Sequence, residues 1–252
     1  MDKIRGKRGK YVPPRGLVYT GGTGNPQEFI QGGVHQLNLL MKHIDLQPAD
    51  GVLDIGSGIG RTAIALVDHM NSNGFYEGFD VVETGVNWCN KKISKDNPNF
   101  NFKYVPLFND LYNTQVAKAS EYKFPYPDNH FDKIFSFSVF THMQIEEIRN
   151  YLKESRRVLK EGGQCFSTFF IYDSENEGYI ASNDVFSFPY NKDGYRLMDE
   201  NVTSGNIAIQ KERLQSMMRE AGFLNVEIVE GFWKDAVRDT NKKEYQDMVV
   251  YS

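Results

Sequence analysis

Two carboxylates, three glycines and a histidine carry the chemistry legible in this chain. Asp54 interrupts the apolar run of Val52, Leu53 and Ile55, a run suited to a buried strand. Gly56, Gly58 and Gly60 follow at alternate positions, and Thr62 to Val67 then reads as a helix packing back on that strand. A strand, a tight glycine turn and a helix form the first half of a βαβ unit, whose turn receives a nucleoside-type ligand. Glycine is needed where a Cβ would clash with the ligand or forbid the backbone angles of the turn. Phe75 to Asp80 reads as a second strand ending in an acid, 20 residues after Gly60, the length of a helix and a return strand. A carboxylate at that tip can accept hydrogen bonds from both ribose hydroxyls.

The glycine spacing separates two ligand classes. A dinucleotide fingerprint needs G-x-G-x-x-G, and from Gly56 its third glycine would fall at Arg61. The chain instead reads D-x-G-x-G-x-G, which resembles the first motif of the class I S-adenosylmethionine-dependent methyltransferases. The resemblance implies that the glycine turn, with Ser57 and Arg61, wraps the methionine half of the cofactor. It also implies that Asp54 helps hold the cofactor's amino group, that Asp80 and Val81 meet the nucleoside, and that S-adenosylhomocysteine is the product. The cofactor's carboxylate would gain from N–H groups at the start of the next helix.

Later motifs occur in the order this family uses. The stretch Phe124 to Met143 holds P-D-N before Phe131-Asp132, similar to the family's fourth motif, with Lys133 to Phe137 as its strand and Asp132 as a structural turn residue. Ser138 to Met143 then lies where that strand ends, beside the switch point at which open α/β sheets bind ligands, and Ser138 is assigned to the cofactor site. L-K-x-G-G at residues 159–163 is a third resemblance. The family often places an Asp past its third strand, here Asn101 to Val105, to meet the adenine amino group. This chain departs from that pattern: Asn109 is the candidate there and Asp110 a weaker one. The resemblance covers residues 50–171 by motif and 207–251 by pattern.

The fold it implies is α/β: a Rossmann-like seven-stranded, mostly parallel sheet with helices on both faces and an antiparallel last strand. Residues 1–34 form an N-terminal arm and cap, and residues 35–252 a methyltransferase domain with a substrate-lid insertion at about 172–206. Pro26 opens a helix capped by Asn25, with Leu37, Leu40, Met41 and Ile44 on one buried face. Gly32-Gly33 within it reads as a kink or a close approach to ligand. Glu83 to Lys95 and Ile145 to Leu159 are further helices, and Ile207 to Ala221 is the last. Phe223 to Val229 and Tyr245 to Tyr251 are the closing strands. Aromatics of the insertion (Tyr179, Phe186, Phe188, Tyr190, Tyr195) roof a substrate pocket, with a small satellite core or a dimer contact as the competing reading.

Composition narrows the partners. The formal net charge of -4 over 252 residues gives no overall basic field for nucleic acid. The first ten residues carry Lys3, Arg5, Lys7, Arg8 and Lys10, read as a frayed, solvated terminus with an RNA-contacting arm as the alternative. No run is long enough to span a membrane. Cys89 and Cys165 read as buried thiols of a reducing, cytoplasmic protein, and a monomer or homodimer is expected.

His142 is the candidate catalytic residue, because imidazole titrates near neutrality and can take a hydroxyl proton as the methyl arrives. The alternative is that Thr141 and His142 cap the next helix and shape the pocket. Neither D/N-P-P-Y/F nor a Pro-Cys pair is present, which argues against DNA bases as acceptors. The reading is therefore in-line methyl transfer without a metal, most readily O-methylation of a small molecule or a sugar or glycan. RNA methylation and a non-catalytic methyltransferase-like scaffold are the alternatives.

Overall fold

The computed structural model describes residues 10–18, 24–109, 111, 117–202 and 204–252. It divides the chain into two units, Met1–Pro106 with His130–Phe135, and Leu107–Asn129 with Ser136–Ser252.

The first unit begins with helix α1, Pro26–Ile44, started by Asn25, whose side chain accepts the Gln27 N–H. Strand β1 (Gly51–Ile55), helix α2 (Arg61–Leu66), strand β2 (Phe75–Asp80), helix α3 (Glu83–Cys89), strand β3 (Phe100–Tyr104) and strand β4 (Phe131–Ser136) follow. β1 pairs in parallel with β2 on one side and β4 on the other, and β2 pairs in parallel with β3. Every residue of β1 is buried, as a central parallel strand requires. Asp132 accepts the Gly51 N–H at 2.8 Å, which ties β4 to the start of β1 and gives that acid the expected structural role.

The α1 pattern holds with one exception. Leu37, Leu40 and Ile44 are buried, but Met41 lies at the solvent edge of the stripe. The helix runs unbroken through Gly32-Gly33. A Cβ on Gly33 would lie 2.2 Å from the backbone oxygen of Arg61, so this glycine allows α1 and α2 to touch rather than making a kink. Beyond α3 the chain makes one wider turn, Asn90–Ser94, where Asn90 bonds Phe102 through both ends of its amide. Those bonds satisfy backbone groups of the edge strand β3.

The second unit contains helix α4 (Ile145–Val158), strands β5 (Leu159–Phe169) and β6 (Ile171–Tyr172), and helix α5 (Glu177–Ser182). Strands β7 (Tyr190–Lys192), β8 (Tyr195–Leu197) and β9 (Ile207–Gln210), helix α6 (Lys211–Glu220), and strands β10 (Val226–Val229) and β11 (Asp247–Tyr251) complete it. β11 is antiparallel to both β10 and β5. The main sheet has seven strands in the order β10-β11-β5-β4-β1-β2-β3, the mostly parallel arrangement with an antiparallel last strand that the motifs imply.

A second sheet, β6-β9-β8-β7, gives regular structure to part of the insertion at 172–206. Lys192 pairs with Tyr195 across Asp193-Gly194, and Gly194 has φ +74°. This two-residue hairpin needs the left-handed conformation that glycine tolerates. Ile207 to Gln210 is likewise strand rather than helix, since β-branched Ile207 and Ile209 pair with Leu197 and Tyr195. The aromatics of this region mostly build a satellite core: Phe188 is buried with Phe170, Tyr172, Ile180 and Trp233, and Tyr179 and Phe186 pack against it. Buried Asp247 anchors it, accepting from the Ile171 and Gly231 N–H groups and the Trp233 indole beside the Lys234 ammonium. Among the described residues, no helix is long and apolar enough to cross a membrane.

Candidate active site

Eight of the predicted site residues lie together in the first unit, where the glycine loop joins β1 to α2. Gly56, Gly58 and Gly60 all have positive φ, at 77°, 56° and 77°, so the alternate spacing records a run of left-handed turns. A Cβ on Gly60 would also lie 2.9 Å from Ile93 and 3.0 Å from the Cys89 sulfur, so the loop is pressed against the α3 segment. The N–H groups of Gly56 and Ser57 both reach the Phe79 carbonyl, fastening the loop to the end of β2.

Asp80 completes that fastening. Its carboxylate accepts from the Gly58 N–H at 2.7 Å and the Val82 N–H at 2.8 Å, and from the backbone at Val81. Burial pushes its pKa up, and the backbone donors oppose the rise. Three donors leave capacity on a carboxylate, which offers about four lone-pair sites. Val81 is half-buried beside it.

Asp54 is buried at the end of β1, and its pKa is pushed up to about 7. Desolvation is the main cause; the Tyr76 hydroxyl, donating at 2.7 Å, pulls the other way, as does the field of Arg61, while Asp80 adds repulsion. Arg61 opens α2, and its aliphatic stem lies along Gly32 and Gly33 of α1. Thr62, one residue on, donates to Gln36 of α1 at 2.7 Å.

The remaining predicted residues belong to the second unit. Ser138, just past β4, holds φ +57°, donates its N–H to Thr168 and its hydroxyl to Gln246, each at 2.8 Å. A non-glycine residue in that conformation at a strand end is a sign of a site held in place by its surroundings. Asn109 accepts the Leu111 N–H at 3.1 Å and so shapes its own loop, and Asp110 lies outside the described residues.

His142 ends a single 3-10 turn, Phe140–His142, pinned by buried Phe140 stacked on Phe169 at 4.9 Å. Its Nδ1 lies 3.0 Å from the Ser204 carbonyl oxygen. A carbonyl only accepts, so Nδ1 carries the proton and Nε2 keeps a lone pair. Burial lowers the His142 pKa from its ordinary value, and the Ser204 bond opposes this. Helix capping, the alternative role, belongs instead to Gln144, which forms a reciprocal box with Glu147.

Sequence reasoning passed over Tyr76 and Gln36, and it read Gly33 without the helix contact that demands it. Tyr76 becomes legible only once the register is known: it stands two residues before Gly78, on the same face, and Gly78 lies opposite Asp54. Of the basic arm, Lys3, Arg5, Lys7 and Arg8 lie outside the described residues, and Lys10 pairs with Asp96 at 2.6 Å.

Comparison with known proteins points the same way. A family described as methyltransferase domain matches residues 52–163. The ubiquinone/menaquinone biosynthesis C-methyltransferase UbiE of Ectopseudomonas mendocina is 26% identical over 220 residues, covering 79% of this chain and 75% of the relative. The demethylmenaquinone methyltransferase of Alkalihalophilus pseudofirmus is 27% identical over 202 residues, covering 75% of this chain and 76% of the relative. Among solved structures, the PH0226 protein from Pyrococcus horikoshii OT3 shares the fold with a TM-score of 0.58 at 18% identity, over 90% of this chain and 91% of that one.

S-adenosylmethionine fits the residues present. It is cationic at its ammonium and sulfonium, and the loop holds two buried carboxylates with Arg61 as the cation acting on Asp54. Among the described residues, the buried Ser57 hydroxyl has no hydrogen-bond partner, an orphan that a polar ligand would satisfy. With its glycine loop, its two carboxylates and its parallel sheet, the chain is similar to the class I S-adenosylmethionine-dependent methyltransferases, and its methyltransferase-domain match spans residues 52–163.

Proposed function

We propose that the enzyme methylates a hydroxyl-bearing small molecule or glycan, with His142 as general base. When bound, the cofactor supplies a methyl group already activated on a sulfonium, so the reaction is an in-line displacement. In this reading Asp54 faces the ammonium and Asp80 the ribose hydroxyls, with Ser57 and Val81 around the remainder. The first-turn N–H groups of α2, which lack partners within the helix, suit the carboxylate of the methionine half.

The observation that carries the base assignment is the His142 Nδ1 contact with Ser204. It sets the tautomer, and burial keeps the ring neutral near pH 7, so Nε2 is ready to accept the hydroxyl proton. The acceptor oxygen then forms its bond to the methyl carbon while the carbon–sulfur bond breaks.

A second reading comes from the relatives, two of which are named for C-methylation and for demethylmenaquinone over three quarters of this chain. Removal of a phenolic proton by the same histidine would make the neighbouring ring carbon nucleophilic. That carbon would bond to the methyl as the carbon–sulfur bond breaks, and loss of its own proton to solvent, with reprotonation of the oxygen, would restore the aromatic phenol. One experiment addresses both readings. The protein is incubated with methyl-labelled cofactor and a panel of sugars, phenols and quinols, and the product is examined by NMR. A methoxy signal supports the first reading, an aryl-methyl signal the second. Turnover of none of these acceptors would remove both.

A further inference from the structure

Asp54 does not stand alone in β1. On the neighbouring strand Val52 is paired with Tyr76 and Asp54 with Gly78, so Tyr76 and Gly78 share a face and Gly78 lies opposite the acid. The Tyr76 ring crosses the space that a side chain at 78 would fill. A Cβ there would lie 2.8 Å from the Tyr76 hydroxyl and 2.8 Å from the Ser57 Cβ. The ring is completely buried, stacked on Phe100 at 5.1 Å and tilted against Phe102 at 5.2 Å. Its hydroxyl therefore ends at one place, 2.7 Å from Asp54 Oδ2. An apolar core has no need of a phenol, and phenylalanine would fill the same volume. What the hydroxyl adds is a donor fixed on one oxygen of the carboxylate, leaving Oδ1 for another partner.

We propose that Tyr76 is a positioning residue for cofactor binding, its hydroxyl orienting the Asp54 carboxylate and holding it as an anion toward the cofactor's ammonium. This rests on the reading of Asp54 as an ammonium ligand. Gly78 is the second part of the device, since the hydroxyl reaches Asp54 only where residue 78 has no side chain.

The charged and titratable groups acting on Asp54 are Tyr76 and Asp80 from β2, Arg61 from α2 and Cys89 from α3. Among them Tyr76 is the one whose hydroxyl hydrogen bonds the carboxylate. In the free protein Asp54 takes up a proton near neutral pH, so cofactor affinity rises with pH as that proton leaves. Without the Tyr76 bond the carboxylate holds its proton to higher pH, and the rise moves upward.

The test is titration calorimetry of the full chain with S-adenosylhomocysteine between pH 5.5 and 8.5, for the wild type, Tyr76→Phe and Asp54→Asn. Tyr76→Phe keeps the ring and its packing, and its circular dichroism should match the wild type. The expected result is about tenfold weaker binding at pH 7, with the rising limb displaced to higher pH. If Asp54→Asn binds weakly while Tyr76→Phe matches the wild type in affinity and pH profile, the positioning role is wrong and the ammonium site stands. If Asp54→Asn itself binds normally at every pH, the ammonium site is wrong and the role of Tyr76 falls with it. Uniform weakening of Tyr76→Phe without any displacement of the profile would also overturn the proposal, because loosened packing alone would produce it.

Discussion

Asp80 Oδ2 accepts the backbone N–H of Gly58 at 2.7 Å, so the acid at the end of β2 clamps the glycine loop that follows β1. One carboxylate thus holds the loop and, in the proposed reading, also faces the nucleoside. Asp80→Ala removes both contributions, and we expect S-adenosylhomocysteine affinity to fall by tenfold or more while the chain remains folded. Calorimetry alongside circular dichroism checks this. Full affinity in a folded variant would mean that the ribose lies elsewhere.

The two adjacent glycines of α1 should behave oppositely. A Cβ on Gly32 meets only the Arg61 stem at 3.6 Å, whereas one on Gly33 meets the Arg61 carbonyl oxygen at 2.2 Å. Gly32→Ala should be neutral or stabilise by up to about 1 kcal/mol through helix propensity. Gly33→Ala should destabilise by about 1–3 kcal/mol by forcing α1 away from α2. Urea unfolding of both variants decides it, and equal effects would contradict the close approach.

The Asp54 acid makes stability depend on pH in a definite direction. It ionises near 3.8 in the unfolded chain and near 7 in the folded one. Between those values the folded state holds the extra proton, so stability falls as pH rises, by about 1.4 kcal/mol per pH unit. Above about 7 both states are ionised and the decline ends. Asp54→Asn should therefore be more stable than the wild type at pH 8 by a few kcal/mol, with the gap closing toward pH 4. A gap independent of pH would show that burial does not raise this pKa.

His142 should control rate and leave affinity alone. His142→Ala is expected to slow single-turnover methyl transfer about a hundredfold, with S-adenosylhomocysteine binding unchanged. Its pKa is lowered by burial, so the neutral base persists below the pH at which free imidazole protonates. The wild-type rate should stay level through neutrality and fall only on the acid side. A normal rate in the alanine variant would return the residue to a structural role.

The readable parts of this chain are those whose cause is local. The turn from Val52 to Val67 declares itself because strand, glycines and helix are contiguous, and Asp80 because a helix and a return strand have a narrow range of lengths. Gly33 did not, since the backbone that demands it belongs to another helix. The second sheet was missed because three-residue strands show no period, although Asp193-Gly194 was a hairpin signal on its own. The Gln144–Glu147 capping box, two residues beyond the histidine considered for that role, was not legible because the signature calls for Ser or Thr where Gln144 stands. Tyr76 was hidden by its aromatic character, which reads as core until its strand partner is known.

The measurement that bears most directly on the whole account is calorimetric titration of the purified wild-type chain with S-adenosylhomocysteine, with NADH as the control. The glycine spacing, the two buried carboxylates and the methyltransferase-domain match predict micromolar binding of the former and none of the latter. Binding of NADH, or of neither ligand, would contradict the assignment of the β1–α2 loop as a cofactor cradle.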